Sequence, residues 1–309
     1  MTNRLEKIIE YVDRLIIKLP LPEKRYTKHL SGVSSSWALL AHNQGLDPEL
    51  AAISGLLHDI YKYKTGINMY HSHNGAEMAR VILKNMGDCF SQRERQIILS
   101  AIFHHSDKSN MHGHTKADKP ENKRTQIADI AEMLLAAPII GSRQDSSFMH
   151  LIRYWPEDSA FDELVNAWCA AFVYHCCQEA GFFLPIRWIN EDRFAGVSAW
   201  NSWARKLGYF IKDEPGVIPM RGDIVLYRNL IPHEYRLEGQ KDIPIDHIGI
   251  ILASDSETYT VAEGNVNNQN VSGILTRPLN KNIEGYIRID NLFNYDDWVF
   301  DYLDETYKI

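Results

Sequence analysis

Two groups of residues in this 309-residue chain have the types and spacing of chemical machinery. The first lies in the N-terminal half. It comprises His29, then His58 and Asp59 inside Gly55-Leu56-Leu57-His58-Asp59-Ile60-Tyr61-Lys62, then His71, the pair His104-His105, and Asp129. An adjacent His-Asp pair on a helix presents a neutral nitrogen and an anionic oxygen about 100° apart around the axis, so both reach one ion only if it lies beside that helix. Other helices must then supply further ligands, and His29 and Asp129 on flanking helices would complete a mixed nitrogen and oxygen set. Such a set suits Mn, Fe, Co or Mg better than a closed structural zinc site. The second group lies in the C-terminal half. Cys169 begins an apolar helical stripe with Phe172, Val173, Cys176 and Ala180, and a thiol in the first turn of a helix sits at the positive end of the helix dipole, which favours the nucleophilic thiolate. Its base must be a histidine. His175 falls too far along the same helix and His233 lies in a proline-flanked loop, which leaves His247. That residue opens a strand whose return begins after Ser254-Asp255-Ser256-Glu257, and reflection about the point between 255 and 256 puts position 264 opposite it. Glu263 or Asn265 is then placed to accept the imidazole N–H, completing nucleophile, base and orienter.

The elements that carry these groups differ between the halves. Ten of the 13 histidines precede residue 151, a division expected of two domains rather than one. Helical periods run through the first half, at Ile8, Ile9, Val12, Leu15, Ile16 and Leu19, at Leu39 and Leu40, at Ile53, Leu56, Leu57 and Ile60, and at Ile97, Ile98, Ala101 and Ile102. Asp47-Pro48 predicts a helix start and Asn85-Met86-Gly87 a stop. The Pro-, Gly- and Ser-rich stretch 138–147 follows the last helical period and predicts the boundary, giving domains 1–140 and 141–309. Beyond it the pattern predicts one strong helix, from about Trp168 to Ala180, and then strands at 223–227, 247–252, 259–263 and 285–289. The expected fold is thus an all-α helical bundle followed by an α+β domain with an antiparallel sheet. The acidic tail 294–309 reads as a solvated surface segment.

Composition narrows the partners. The chain is 45% hydrophobic and 24% charged with a formal net charge of -7, so no basic face advertises nucleic acid. No run of about 18 apolar residues exists, and the amphipathic start MTNRLEKIIEYVDRLIIKL lacks the apolar core of a signal peptide, so no membrane partner is expected and the expected location is cytoplasmic. Four cysteines are too few and too bunched for a disulfide framework, which fits a reducing compartment.

The first constellation resembles the HD-domain metal-dependent phosphohydrolases, with the pattern H…HD…D on a helical bundle, over residues 25–136. The resemblance includes Leu56-Leu57-His58-Asp59-Ile60 with a lysine three places on. It implies His29, His58, Asp59 and Asp129 as ligands of a divalent ion, Lys62 as a contact to a phosphate oxygen, and His71 with His104 or His105, the latter better spaced, as ligands of a second ion. His73 is an alternative to His71. The family usually has two acidic residues around Ala128, and Ile127 takes the first of those places here. The expected substrate is a nucleotide or another phosphoester.

The second constellation resembles a CHAP domain, a cysteine- and histidine-dependent amidohydrolase/peptidase of papain-like fold, over residues 152–290. Five phrases carry it in order: Trp168-Cys169-Ala170, Gly222-Asp223-Ile224-Val225, Asp246-His247-Ile248-Gly249-Ile250, Glu263-Gly264-Asn265 and Gly285-Tyr286-Ile287-Arg288. The resemblance implies Cys169 as nucleophile, His247 as base, Glu263 as orienting acceptor, Asn265 as a supporting polar residue, and the backbone N–H of Cys169 as part of the oxyanion hole. It makes Trp168 a packing residue. CHAP domains most often cut peptidoglycan amide bonds, which a cytoplasmic chain would reach through lysis or dedicated secretion. The sequence therefore predicts a bifunctional hydrolase. A second reading makes the HD half a nucleotide sensor gating a cytosolic amidase for a small peptide or polyamine amide.

Overall fold

The structure is a computed structural model describing residues 3–17, 24–105, 122–189, 192–236, 244–279, 282–293, 299–301, 303 and 306–308. The chain forms two compact units, Met1–Ala117 with Asp296–Ile309, and Asp118–Tyr295. Among the described residues no helix is long and apolar enough to cross a membrane.

The first unit is built from α1 (Asn3–Ile17), α2 (Lys24–Asn43), α3 (Pro48–Leu57), α4 (Ile60–Thr65), α5 (His71–Asn85) and α6 (Gln92–Phe103). α3 is the central element, packed by α1, α2, α5 and α6. Its start is the expected one, with Asp47 accepting from the amides of Glu49 and Leu50 and Pro48 in the first turn. Gly55 lets α2 approach closely, since a Cβ there would stand 2.8 Å from the Cα of Ser34. Ser91 and Glu94 form a capping box at the head of α6. Ile8, Val12, Ile53, Leu57, Ile98 and Ile102 are buried as their periods predict, whereas Leu39 and Leu40 are exposed.

The second unit begins one helix earlier than the composition suggests. Its elements are α7 (Lys123–Leu134), α8 (Ser146–Ile152), α9 (Ala160–Leu164), α10 (Cys169–Glu179), β1 (Arg187–Ile189), β2 (Asp192–Arg193), α11 (Val197–Lys206), β3 (Phe210–Lys212), β4 (Ile224–Arg228), β5 (Ile245–Ser254), β6 (Thr258–Glu263), β7 (Gly273–Pro278) and β8 (Ile283–Ile287). β3 to β8 form an antiparallel sheet in the order β3-β8-β4-β5-β6-β7. α7 packs on α10 and β5, burying Ile127, Ala128 and Ala131. The segment 138–147, where the sequence places the boundary, is fastened into this unit. Ile140 bridges Val271, and Ile139 donates to Ser272 and accepts from its amide. α8, α9 and α11 add to the single helix that the sequence predicts. Of the tail, residues 299–301 pair with 306–308 as β9 (Val299–Asp301) and β10 (Thr306–Lys308), and most of the remainder lies outside the described residues.

Candidate metal centre and cysteine site

The first unit gathers four histidines around one carboxylate. His58 and Asp59 stand at the break between α3 and α4, not within one helix, because α3 ends at Leu57 and α4 starts at Ile60. Asp59 precedes α4 without capping it, which leaves its carboxylate free to face the histidines. Oδ2 lies 3.6 Å from both His29 Nε2 and His58 Nε2, and Oδ1 lies 3.7 Å from His71 Nε2 and 3.9 Å from His105 Nε2. His29 and His58 bring their Nε2 atoms within 3.3 Å of each other. Ligands about 2.1 Å from one ion stand about 3.0–3.4 Å apart, so the spacing is that of a slightly open donor shell. The two oxygens face different histidine pairs, which makes Asp59 the shared member of two groups.

The surroundings of these donors fit a cation. His58 Nδ1 donates to the carbonyl of Gly55 at 2.8 Å, His71 Nδ1 to Asn68 at 3.1 Å, and His105 Nδ1 to Ile102 at 2.6 Å. Each bond fixes a ring and leaves the Nε2 lone pair directed at Asp59. Burial holds His58 down to about 4, against the pull of Asp59, and lowers His71 as well, so both imidazoles are neutral ligands near pH 7. Asp59 Oδ1 is buried with no hydrogen-bond partner, a cost that an ion would remove. Gly75 makes the assembly possible, since a Cβ there would lie 2.7 Å from the carbonyl of His58 as α5 passes it. Lys62 on α4 is close enough to His71 to disfavour its protonation.

In the second unit Cys169 is the first residue of α10. No side chain caps that helix, so the amides of its first turn, including that of Cys169, are not spent on a cap. Trp168 is fully buried over Gly264, where a Cβ would meet its ring at 2.9 Å, and its indole donates to Asn270 at 3.1 Å. His247 on β5 is fully buried, and its Nε2 lies 3.1 Å from Glu263 Oε2 at the end of β6. Its Nδ1 has no hydrogen-bond partner. Burial alone would lower the proton affinity of His247, but its charge and hydrogen-bond interactions with Glu263 and Cys169 overcome this and push the imidazole up to about 10. Cys169 lines a cleft of about 280 Å³ with Ala167, Arg193, Gly196, Asp246 and Asn268.

Two family models match the chain: residues 26–137, which include α7, match that of the HD domain, and residues 162–265 that of the CHAP domain. The chain carries an HD domain followed by a CHAP domain. No curated protein and no solved structure matches it. HD domains bind divalent metals and are usually hydrolases, as are CHAP domains, and the His/Asp groups of the first unit have the donors such an ion needs.

Within the HD domain the structure brings together His29, His58, Asp59, His71 and His105. Asp129 lies in the second unit. That carboxylate, on α7 of the second unit, is half-exposed and bound by Arg221 at 2.6 Å, because the apolar face of α7 is buried against α10 and β5. His73 packs on Phe103 with ring centroids 4.2 Å apart, and His104 meets the same ring edge-on at 5.0 Å. His112 and His114 lie outside the described residues.

Within the CHAP domain the open choice at the orienter falls on Glu263. Ile250 pairs with Ala262, which extends to 249 opposite 263 and 247 opposite 265, one residue off the reflected register. Glu263 therefore reaches His247 diagonally, across Gly249. A Cβ at Gly249 would lie 2.9 Å from Glu263 Cγ and 2.7 Å from Val261 Cγ2, so only glycine leaves that path open. Asn265 does not touch the imidazole. Its backbone is left-handed at φ +51°, which turns it out of the strand, and its amide is spent on Asn166, Asn268 and Asn270. It shapes the loop beside the nucleophile instead. Cys176 and Cys177 are buried core residues whose thiols burial pushes up.

Two features of this site are absent from the sequence reading. Tyr227 lies opposite His247 in the β4–β5 pairing and stacks on it at 5.9 Å. Arg277 on β7 grips both oxygens of Glu263, at 2.8 and 2.7 Å. The signal for Arg277 was the alternation along 273–278, where Leu275 and Arg277 point inward and Ile274, Thr276 and Pro278 outward. A third grouping, His150, His175 and Glu179, already has a cation among its acceptors, since Arg153 contacts both His150 and Glu179.

Proposed function

We propose that the chain is a bifunctional hydrolase, a metal-dependent phosphohydrolase joined to a Cys-His amidase/peptidase. In the HD domain, His29, His58, Asp59, His71 and His105 would hold one or two divalent ions of the Mn, Fe, Co or Mg class. The observation that carries this is the set of backbone-anchored imidazoles aimed at a carboxylate with a bare buried oxygen. When bound, the ion supplies Lewis acidity toward phosphoryl oxygens and water. Lys62 adds a fixed positive charge for the same oxygens of a nucleotide or phosphoester.

In the CHAP domain, His247 Nδ1 takes the proton of Cys169 and the thiolate attacks the amide carbonyl carbon. The backbone N–H of Cys169 holds the oxygen as it becomes negative. The imidazolium then returns its proton to the leaving amine, and water drawn on by the same imidazole releases the acyl group from sulfur. The unbonded Nδ1 of a histidine whose Nε2 is tied to Glu263 supports this assignment. The amide would be of the peptidoglycan type. Asp59→Ala is expected to lose metal and phosphatase while keeping amide hydrolysis, and Cys169→Ala the reverse. An Asp59→Ala protein with full metal content and full phosphatase rate, or a Cys169→Ala protein with undiminished amide hydrolysis, would overturn the corresponding half.

A further inference from the structure

We infer that Arg277 is a positioning residue of the CHAP site, holding Glu263 ionised and fixed so that His247 keeps the tautomer able to accept the proton of Cys169. This rests on the reading of Cys169 and His247 as nucleophile and base.

Glu263 is completely buried, and a buried carboxylate without a cation takes up a proton. The protonation state decides the tautomer of His247. An ionised Glu263 can only accept, so Nε2 carries a hydrogen in either charge state of the ring and Nδ1 is the atom that exchanges a proton with Cys169. A protonated Glu263 would donate to Nε2, put the ring hydrogen on Nδ1, and block acceptance from the thiol. Arg277 removes that second state. Its Nε donates to Oε1 at 2.8 Å and its Nη2 to Oε2 at 2.7 Å, while Oε2 also receives His247 Nε2 at 3.1 Å. Both carboxylate oxygens are thereby occupied by donors, and rotation of the carboxylate away from the imidazole breaks two bonds.

The elements around the pair offer no other cation for this task among the described residues. β4 supplies Tyr227, β6 supplies Tyr259 beside Glu263, β5 supplies His247 and α10 supplies Cys169, while β7 places Arg277 opposite Tyr259. Arg277 also lies 5.5 Å from the centre of the Tyr227 ring, whose other neighbour is the His247 ring. A lysine could supply the charge but not the two-point fork.

The test uses the full chain and needs no known substrate. The second-order rate of Cys169 alkylation by iodoacetamide, located by peptide mass spectrometry, is measured from about pH 5 to 9 for wild type, Arg277→Lys, Arg277→Gln, Glu263→Gln and the Arg277→Gln/Glu263→Gln double variant. Circular dichroism and melting temperature accompany each. Arg277→Gln is expected to slow alkylation near neutral pH roughly tenfold or more, with Arg277→Lys between it and wild type. In the Glu263→Gln background the same Arg277→Gln change should cost less than about twofold, because its effect runs through the carboxylate. An Arg277→Gln profile matching wild type, or an equal loss in both backgrounds, overturns the proposal. If Arg277→Gln does not fold, a folded Arg277→Lys with wild-type rates overturns it equally. A wild-type Cys169 no more reactive than a cysteine in an unfolded peptide overturns instead the reading of the site on which the proposal rests.

Discussion

Gly249→Ala is the smallest change that separates the two carboxylate-dependent parts of the CHAP site. The added methyl would stand 2.7 Å from Val261 Cγ2 and 2.9 Å from Glu263 Cγ, both closer than carbon atoms normally approach. Val261 is buried in the sheet core beside Tyr227, Ile251 and Tyr259, so it has little room to yield, and Glu263 must give way toward Arg277. Overpacking of this kind costs about 1–3 kcal/mol. For a unit of this size that corresponds to a fall in melting temperature of about 2–4 °C per kcal/mol. The catalytic cost should exceed the stability cost, because a displacement of about 1 Å in a positioned group can lower a rate by roughly 10²-fold. The assay is Cys169 alkylation and amide hydrolysis beside a thermal melt. A Gly249→Ala protein that shows the expected fall in melting temperature but alkylates at the wild-type rate would refute the idea that this glycine seats Glu263 against His247.

The remaining expectations concern both domains. Asp59→Ala should strip bound metal as measured by plasma mass spectrometry, and full metal content in that variant would remove Asp59 from the ligand set. Arg221→Ala should cost no more than about 1 kcal/mol by thermal melt, the usual limit for an exposed ion pair such as that with Asp129. Lys62→Ala should keep the metal and lower phosphatase kcat by roughly 10²-fold, and an unchanged kcat would remove Lys62 from the phosphate site. The buried pair should also shape stability against pH. Burial works against both members, yet Glu263 is held down to about 2 by His247 and Arg277, and His247 is held up at about 10 by Glu263 and Cys169. Glu263 thus stabilises fully above its unfolded value of 4.5 and loses this as pH falls toward 2, while His247 stabilises fully below 6.5 and loses this as pH rises toward 10. Thermal melts should therefore show the pair's contribution undiminished between about pH 4.5 and 6.5, and His247→Gln should flatten the alkaline decline; an unaltered alkaline limb in that variant would contradict the assignment.

The sequence was most readable where a local rule and the tertiary structure agree. Asp47-Pro48 starts α3 because capping needs only its own next few amides, and the apolar periods of α1, α3 and α6 point to their buried faces. The His58-Asp59 pair and Cys169 at its helix start were each visible because such residue types are rare in those local settings. The reading is poorer where distant packing decides. Nothing local in 123–134 says that Ile127 and Ala131 will be buried against α10 and β5. Asn265 was level with Glu263 as an acceptor until the left-handed turn after β6 took it out of the sheet. The hairpin register was one residue off because the turn centres between Ser256 and Glu257, and the irregularity between Ile251 and Ala253 takes back only one of the two places that this costs. Arg277 was missed because β7 is edge-placed and bounded by Gly273 and Pro278, so its strand was not recognised and its charge had no inward side to be assigned to.

The most direct test of the central claim is mass spectrometry of soluble fragments released from purified peptidoglycan by the wild-type chain and by Cys169→Ala. The account predicts fragments from the wild type alone, with new termini that identify an amide bond cut by Cys169. The same fragment profile from both proteins would contradict it.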